Sequence, residues 1–169
     1  MNIFILDKDP IISAQLQCDK HVVKMILESA QMLSTAHRVL DGDEYANKNS
    51  LYKIAHKNHP CSIWVRETIS NYQWLYNHFD ALGKEYTYRY NKIHKSIDKL
   101  LLPLKQPPWN ISEGGLTEFA LAMKHEPQCM YIGDPVKSYR TYYQTKRDNF
   151  NMVWTKRNQP EWFNANLHN

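Results

Sequence analysis

Three ionisable side chains near the start of the chain recur at helical spacing. His21, Lys24 and Glu28 lie on one face of a helix at ~100° per residue, and Gln31 continues that face. Apolar residues flank this stripe on both sides: Val22, Val23, Ile26, Ala30 and Leu33. An ionisable stripe between apolar flanks indicates a helix that lines a pocket instead of one that lies flat on the surface.

The stripe also has a purely structural interpretation. Lys24 and Glu28 are one helical turn apart and can form a solvated ion pair worth ~0.2–0.5 kcal/mol. His21 can equally cap or pack locally. On spacing alone the structural interpretation is the commoner one, and both stay open at this point.

A second candidate group, in the last third of the chain, alternates cations with aromatic rings. Rings can stack on exposed bases while Arg and Lys neutralise phosphates. The residues in this pattern are Tyr139, Arg140, Tyr142, Tyr143, Lys146, Arg147, Trp154, Lys156 and Arg157. The alternative is that the tyrosines, which also follow helical spacing, only dock their helix against the core.

The eight histidines and three cysteines form no recognisable metal motif. HExxH and CxxC motifs are absent, and His56 and His59 precede a proline instead of lying within a helix. Glycine-rich phosphate loops and GxSxG motifs are also absent. We therefore predict no metal site and no cofactor, and we expect Cys61 to be a buried structural thiol.

The candidate residues are positioned by predicted helices. Asp9-Pro10 is typical of a helix start and predicts a short helix over 11–17. Asp19 is a candidate N-cap for a long helix that runs to about Leu40 and ends at the polar turn around Gly42.

Further along, residues 45–57 are polar and expected to be irregular, and His59-Pro60 marks another helix start. Aromatic and apolar spacing predicts one helix over 61–90. A shorter helix is predicted over 94–102, stopped by the proline that follows, and another over 134–146. Strand-like alternation is scarce, so we predict an all-α fold with irregular loops.

Composition supports a globular protein, with 43% hydrophobic and 12% aromatic residues in 169. We predict a single compact helical domain over residues 1–169 with a short extended segment over 2–6. The net charge of +4 permits DNA as a partner without requiring it. The odd cysteine count favours a reducing compartment, and the lack of a signal peptide or apolar span predicts no membrane partner and a location in the cytoplasm of a bacterium or a phage-infected host. We expect a monomer.

The first long helix resembles a known active-site helix. Asp19-x-His21, with Glu28 seven residues after the histidine, resembles that of the pyrimidine-dimer DNA glycosylases, the endonuclease V-like family of UV-damage repair enzymes. Lys57-Asn58-His59-Pro60 resembles the Asn-His-Pro element of bacterial relatives, and the aromatic, basic C-terminal region is similar in character. The chain also resembles proteins common in phage genomes.

This resemblance implies an all-helical DNA-binding enzyme that flips a nucleotide and cleaves an N-glycosidic bond, with possible AP-lyase activity. Glu28 matches the essential carboxylate and His21 matches the histidine that lines the pocket. Lys24 and the Met1 amine join them as catalytic candidates. The candidate DNA-binding residues are His59, Arg66, Tyr139, Arg140, Tyr143, Lys146, Arg147, Trp154 and Lys156.

The chain departs from the phage repair enzyme at its start. There a small residue, exposed when the initiator methionine is removed, supplies the amine that forms a Schiff base with C1′. Here residue 2 is Asn, so we expect Met1 to be retained. The nucleophile is then the Met1 amine, Lys24 or water.

Two other functions compete with the glycosylase. One is a non-catalytic phage-type accessory module that binds nucleic acid or protein, for which salt-dependent DNA binding without chemistry is expected. The other is a hydrolase or transferase that acts on a small nucleotide in a compact pocket around Glu28.

Overall fold

The computed structural model describes residues 1–164, in which all regular secondary structure is helical. The predicted all-α fold is therefore confirmed. The single-domain prediction over 1–169 stays a prediction, and residues 165–169 lie outside the described range. The seven α-helices of this range are α1 Pro10–Leu16, α2 Asp19–Asp41, α3 Glu44–Lys48, α4 Pro60–Val65, α5 Ile69–Tyr90, α6 Lys95–Leu104 and α7 Pro135–Thr145. Three short 3₁₀ turns follow α6: Pro127–Cys129, Lys146–Asp148 and Glu161–Phe163.

Local capping chemistry explains where the first two helices begin and end. The Asp9 carboxylate accepts hydrogen bonds from the Ile11 and Ile12 amides, and Pro10 occupies the first helical position, as predicted. Helix α2 ends at Gly42, whose φ of 80° lies in the left-handed region that glycine favours.

The prediction that Asp19 caps α2 is wrong. Cys18 is the N-cap, and Asp19 is the first residue of the helix. The Asp19 carboxylate instead accepts hydrogen bonds from the Arg89 guanidinium at 3.0 Å and the Thr155 amide at 2.9 Å. The Asp19 carboxylate thus forms an ion pair with α5 instead of a local cap, and it connects the N-terminus of α2 to Arg89 and Thr155.

The predicted helix over 61–90 is two helices. Helix α4 ends at Val65, and α5 starts after Thr68, whose hydroxyl accepts the Asn71 amide at 3.1 Å. This side-chain cap provides a new helix start that the apolar spacing did not reveal. Two smaller differences are the short helix α3, which overlaps the start of the region expected to be irregular, and α6, which includes Pro103 before it ends at Leu104.

Helix α2 lies at the centre of the helical packing. It packs against α3, α4, α5 and α6, while α5 also packs against α1. Gly83 allows α5 and α6 to approach closely, because a Cβ there would lie 2.5 Å from Ile97 Cδ1. The largest fully buried side chains of the core are Tyr72, Tyr139, Tyr143, Phe79, Ile5, Leu6, Met25, Ile26, Met32, Leu33, Leu75 and Leu82.

The N-terminal residues 2–6 form a buried segment without regular secondary structure, and the positive φ of Phe4 interrupts the extended conformation that was predicted. The carbonyl of Phe4 accepts hydrogen bonds from the Ser13 hydroxyl and the Gln17 amide. The segment therefore runs through the core next to α1 and brings the start of the chain to α2. None of the helices within residues 1–164 is long and apolar enough to cross a membrane.

Candidate active site

The start of the chain meets α2 at Glu28. The Met1 ammonium nitrogen lies 3.3 Å from Glu28 Oε1, and the Asn2 backbone amide donates to the same oxygen at 3.2 Å. Glu28 is only 8% exposed. A buried carboxylate requires charge or hydrogen-bond compensation, and here the chain terminus supplies both.

The second carboxylate oxygen of Glu28 is buried and lacks a hydrogen-bond partner among residues 1–164. Lys24 Nζ is 4.0 Å away, and its side chain is 63% exposed. An unpartnered buried oxygen is uncommon in folded proteins and calls for a physical explanation. The arrangement differs from a solvated i,i+4 ion pair, because the carboxylate is inside the protein and only the lysine is in solvent.

His21 lies two helical turns before Glu28 and is also buried. Its ring stacks on Phe4 with centroids 4.5 Å apart, and Nδ1 is 2.7 Å from the Tyr143 hydroxyl. Burial, and then the positive charges of Lys146 and two α2 lysines, lower the His21 pKa to about 3. His21 is therefore uncharged at neutral pH and lines the site as a neutral, oriented ring.

His59 caps α4 at the other side of the site. Its Nδ1 accepts the Cys61 amide at 3.1 Å, so the proton of the neutral ring lies on Nε2. Burial, the Met1 ammonium and His56 lower the His59 pKa, against an opposing effect of Glu28. Cys61 is 1% exposed, and burial raises its pKa to about 12, which fits the predicted structural thiol.

Several cations surround this cluster. Lys146 places its ammonium 4.5 Å from the Tyr142 ring centroid and 5.4 Å from that of Phe4. Burial and the charge of Lys24 lower the Lys146 pKa. Lys20 and Lys124 add positive charge, since Lys20 acts on His21 and Lys124 on His59. The surroundings of the buried carboxylate are thus basic.

Three aromatic residues predicted to bind DNA lie in the protein interior. Tyr139 and Tyr143 are fully buried, and Trp154 is 7% exposed. The Tyr139 hydroxyl donates to the Ala120 carbonyl at 2.6 Å, and the Trp154 indole donates to the Leu16 carbonyl at 2.7 Å. Their rings and polar atoms are committed to internal contacts, as the helix-docking alternative expects.

The four cationic DNA-binding candidates outside this cluster each donate a hydrogen bond to a backbone carbonyl of the protein. Arg140 donates to the Leu6 carbonyl, and Arg66 donates to the Ser62 carbonyl. Arg147 is exposed and donates to the Phe163 carbonyl. Lys156 donates to the carbonyl of Tyr88 in α5. The structure brings Met1, His21, Lys24, Glu28, His59 and Lys146 together and leaves Lys156 at the end of α5.

Two residues of this region were not among the predicted site residues. Asn2 contacts Glu28 directly, and Phe4 stacks on His21. Phe4 has a φ of 58°, which is unusual for a residue that carries a Cβ. The signal in the sequence was only that a polar residue, Asn2, precedes an apolar run. No three His, Cys, Asp or Glu side chains are grouped as a metal site within the described part of the chain.

Comparison with known proteins connects this site to a family. The profile of the family described as pyrimidine dimer DNA glycosylase matches residues 1–98, more than half of the chain. This range contains Met1, His21, Lys24, Glu28 and His59, whereas α7 lies beyond it. Searches among curated proteins and among solved structures gave no match. On the strength of the profile match, the chain belongs to the pyrimidine dimer DNA glycosylase family.

Proposed function

We propose that this protein is a DNA N-glycosylase that acts on a damaged or modified pyrimidine, with Glu28 as the key carboxylate and AP-lyase activity through the Met1 amine. The observation that carries the proposal is the 3.3 Å contact between the Met1 nitrogen and Glu28 Oε1. It pairs a primary amine with a buried carboxylate within the range matched by the family profile.

The chemistry follows from these two groups. An ammonium must lose a proton to become a nucleophile, and Glu28 Oε1 is the base in contact with it. The amine then attacks C1′ of the sugar. The pyrimidine leaves with the electron pair of the glycosidic bond and takes up a proton. Positive charge develops on the sugar in this step, and the second oxygen of Glu28, which has no hydrogen-bond partner among residues 1–164, can stabilise it.

The covalent product accounts for the lyase step. Ring opening converts the C1′–amine adduct to a Schiff base, which makes the C2′ proton acidic. Loss of that proton and of the 3′ phosphate cleaves the strand by β-elimination, and hydrolysis of the Schiff base restores the amine. These reaction steps require no oxidant, reductant or metal.

Duplex DNA is the substrate that fits the surrounding charge. Lys20, Lys24, Lys124 and Lys146 can neutralise phosphates near the carboxylate. The target nucleotide, or the base paired with it, must leave the stack, at a cost of a few kcal/mol that is lower for a lesion. His59 presents its Nε2 proton as a hydrogen-bond donor to this substrate.

Borohydride trapping tests the proposal. The protein is incubated with a labelled duplex that carries a thymine dimer or an abasic site, reduced, and analysed on a denaturing gel. We expect a covalent adduct whose attached peptide begins at Met1. Base release without an adduct would instead indicate a monofunctional glycosylase that uses water. Neither adduct nor base release on any damaged duplex would overturn the proposal and leave a non-catalytic binding module.

A further inference from the structure

We infer that Asn2 is a positioning residue that holds the Met1 amine against Glu28, an inference that rests on the proposed use of this amine as the nucleophile. The first residue of a chain is usually poorly ordered. One ion pair fixes the distance of the amine from the carboxylate, but it does not fix the direction from which the backbone arrives. The contacts of residue 2 supply that direction.

The backbone amide and both side-chain polar atoms of Asn2 take part in the arrangement. Its backbone amide donates to Glu28 Oε1 at 3.2 Å. Its side-chain Oδ1 accepts the amides of Ile3 at 2.8 Å and Phe4 at 3.1 Å. Its Nδ2 donates to the Ala122 carbonyl at 3.0 Å. Asn2 is 7% exposed, so these contacts are largely shielded from water.

The side chain of Asn2 organises a tight turn. Phe4 has a φ of 58°, a conformation that a bulky residue adopts only when its surroundings impose it. Asn2 Oδ1 accepts a hydrogen bond from the Phe4 amide, and the Ser13 hydroxyl donates to the Phe4 carbonyl at 3.1 Å. The turn therefore fixes the backbone at the start of the chain, which is usually mobile, and directs residues 1 and 2 to the Glu28 carboxylate.

The contact with Ala122 anchors the turn to the second half of the chain. The Ala122 amide donates to the Tyr139 hydroxyl at 3.1 Å, and that hydroxyl donates to the Ala120 carbonyl. Tyr139 is fully buried in α7. Asn2 thus connects Glu28 of α2 to a segment whose position is set by α7, outside the range matched by the family profile.

The test separates the position of the amine from its chemistry. The Asn2→Leu variant keeps the side-chain size but cannot form the polar contacts, and it keeps a bulky second residue so that Met1 is retained, which intact mass verifies. The free protein is reductively methylated with formaldehyde and cyanoborohydride, and the labelling rate of the Met1 amine is compared with that of a Met-Asn-Ile-Phe peptide. We expect the wild-type amine to react about 10-fold more slowly than the peptide, and the variant amine to react within about 3-fold of it.

The second measurement is borohydride trapping on an abasic duplex, where we expect Asn2→Leu to lower the adduct rate about 10²-fold with duplex affinity unchanged. Asn77→Leu, the same change at an exposed position of α5, is the matched control and should leave both rates unchanged. Asn2→Gln keeps the amide but displaces it by one methylene. As in Asn2→Leu, amine labelling should become faster and adduct formation slower. Asn2→Gln replaces Asn2→Leu if the latter does not fold.

The outcomes distinguish this inference from the proposed function. Unchanged labelling of the amine in both Asn2 variants would overturn the positioning role. Faster labelling in the variants, combined with no wild-type adduct on any damaged duplex, would support the positioning role and overturn the lyase activity. Faster labelling together with slower adduct formation would support both.

Discussion

The Met1 ammonium and Glu28 Oε1 are 3.3 Å apart, although they lie at the chain start and in the middle of α2. The buried segment over residues 2–6 makes this contact possible, because Asn2 donates to Glu28 and Phe4 stacks on His21 of the same helix. An amine and a carboxylate are thereby placed together without a catalytic loop.

Glu28→Gln should abolish turnover while the fold is kept. The variant retains a side-chain oxygen that can accept the Asn2 amide, but it loses the negative charge that attracts the Met1 amine and stabilises the developing charge on the sugar. We expect the rate of adduct formation to fall at least ~10²-fold. The free energy of unfolding should fall by about 3 kcal/mol, because the Met1 ammonium loses the charged partner of a buried ion pair.

Glu113→Gln, the same change at an exposed position, is the control for this substitution and should behave as wild type. Duplex affinity of Glu28→Gln should also stay within about 3-fold of wild type, because the phosphate-binding cations are unchanged. Strand cleavage at the wild-type rate by Glu28→Gln would contradict the proposed role of this carboxylate.

Lys24→Gln should leave the identity of the nucleophile unchanged. The Lys24 ammonium is 4.0 Å from Glu28 Oε2 and its side chain is 63% exposed, so the pair contributes at most ~0.5 kcal/mol to stability. We expect a trapped adduct on the N-terminal peptide at a rate within about 10-fold of wild type, and weaker salt dependence of DNA binding. Loss of the adduct with intact duplex binding would assign the nucleophile to Lys24.

Acid should destabilise the protein through three buried histidines. Burial is the main cause that lowers the pKa of His21 to about 3 and the pKa values of His37 and His78 to about 4. In the unfolded chain each returns to about 6.5, so unfolding takes up protons between these values. Because the unfolded state binds more protons, stability is present above pH ~6.5 and is lost as the pH falls towards 4.

Urea unfolding as a function of pH measures this uptake. Near pH 5 the three histidines should contribute about three protons, a slope of about 4 kcal/mol per pH unit. His37→Gln should reduce the uptake by about one proton, whereas His125→Gln, at an exposed position, should not change it. A slope near zero between pH 5 and 6 would contradict the burial of these rings as neutral species.

The sequence predicted the parts of this molecule that depend on local chemistry. Asp9-Pro10, Gly42 and the start of α7 were identifiable because caps, prolines and glycines act within one turn of their own position. The family resemblance selected Glu28 and His21. Both side chains are buried in the structure, and their catalytic roles stay a prediction.

The features that the sequence did not predict depend on contacts between residues far apart in the chain, and the spacing of residue types does not encode such contacts. Asn2 reaches Glu28 and Ala122 only after the chain has folded, so its role has no local signature. The same holds for Asp19, which pairs with Arg89 instead of capping its helix. The helical spacing of the tyrosines left helix docking open as an alternative, but it could not show that the Tyr143 hydroxyl contacts Cys18 and His21.

Arg89→Leu should be the most destabilising of the substitutions considered. Arg89 is buried, and its guanidinium donates to Glu85, Asp19 and two carbonyls near the end of α1. Removing one partner of a buried ion pair leaves uncompensated charge and typically costs about 3–5 kcal/mol. Lys84→Leu removes an exposed i,i+4 pair with Asp80 of the same helix and should cost less than about 0.5 kcal/mol. Chemical denaturation of both variants measures the contrast, and equal losses would show that the Arg89 network does not hold α5 to the start of α2.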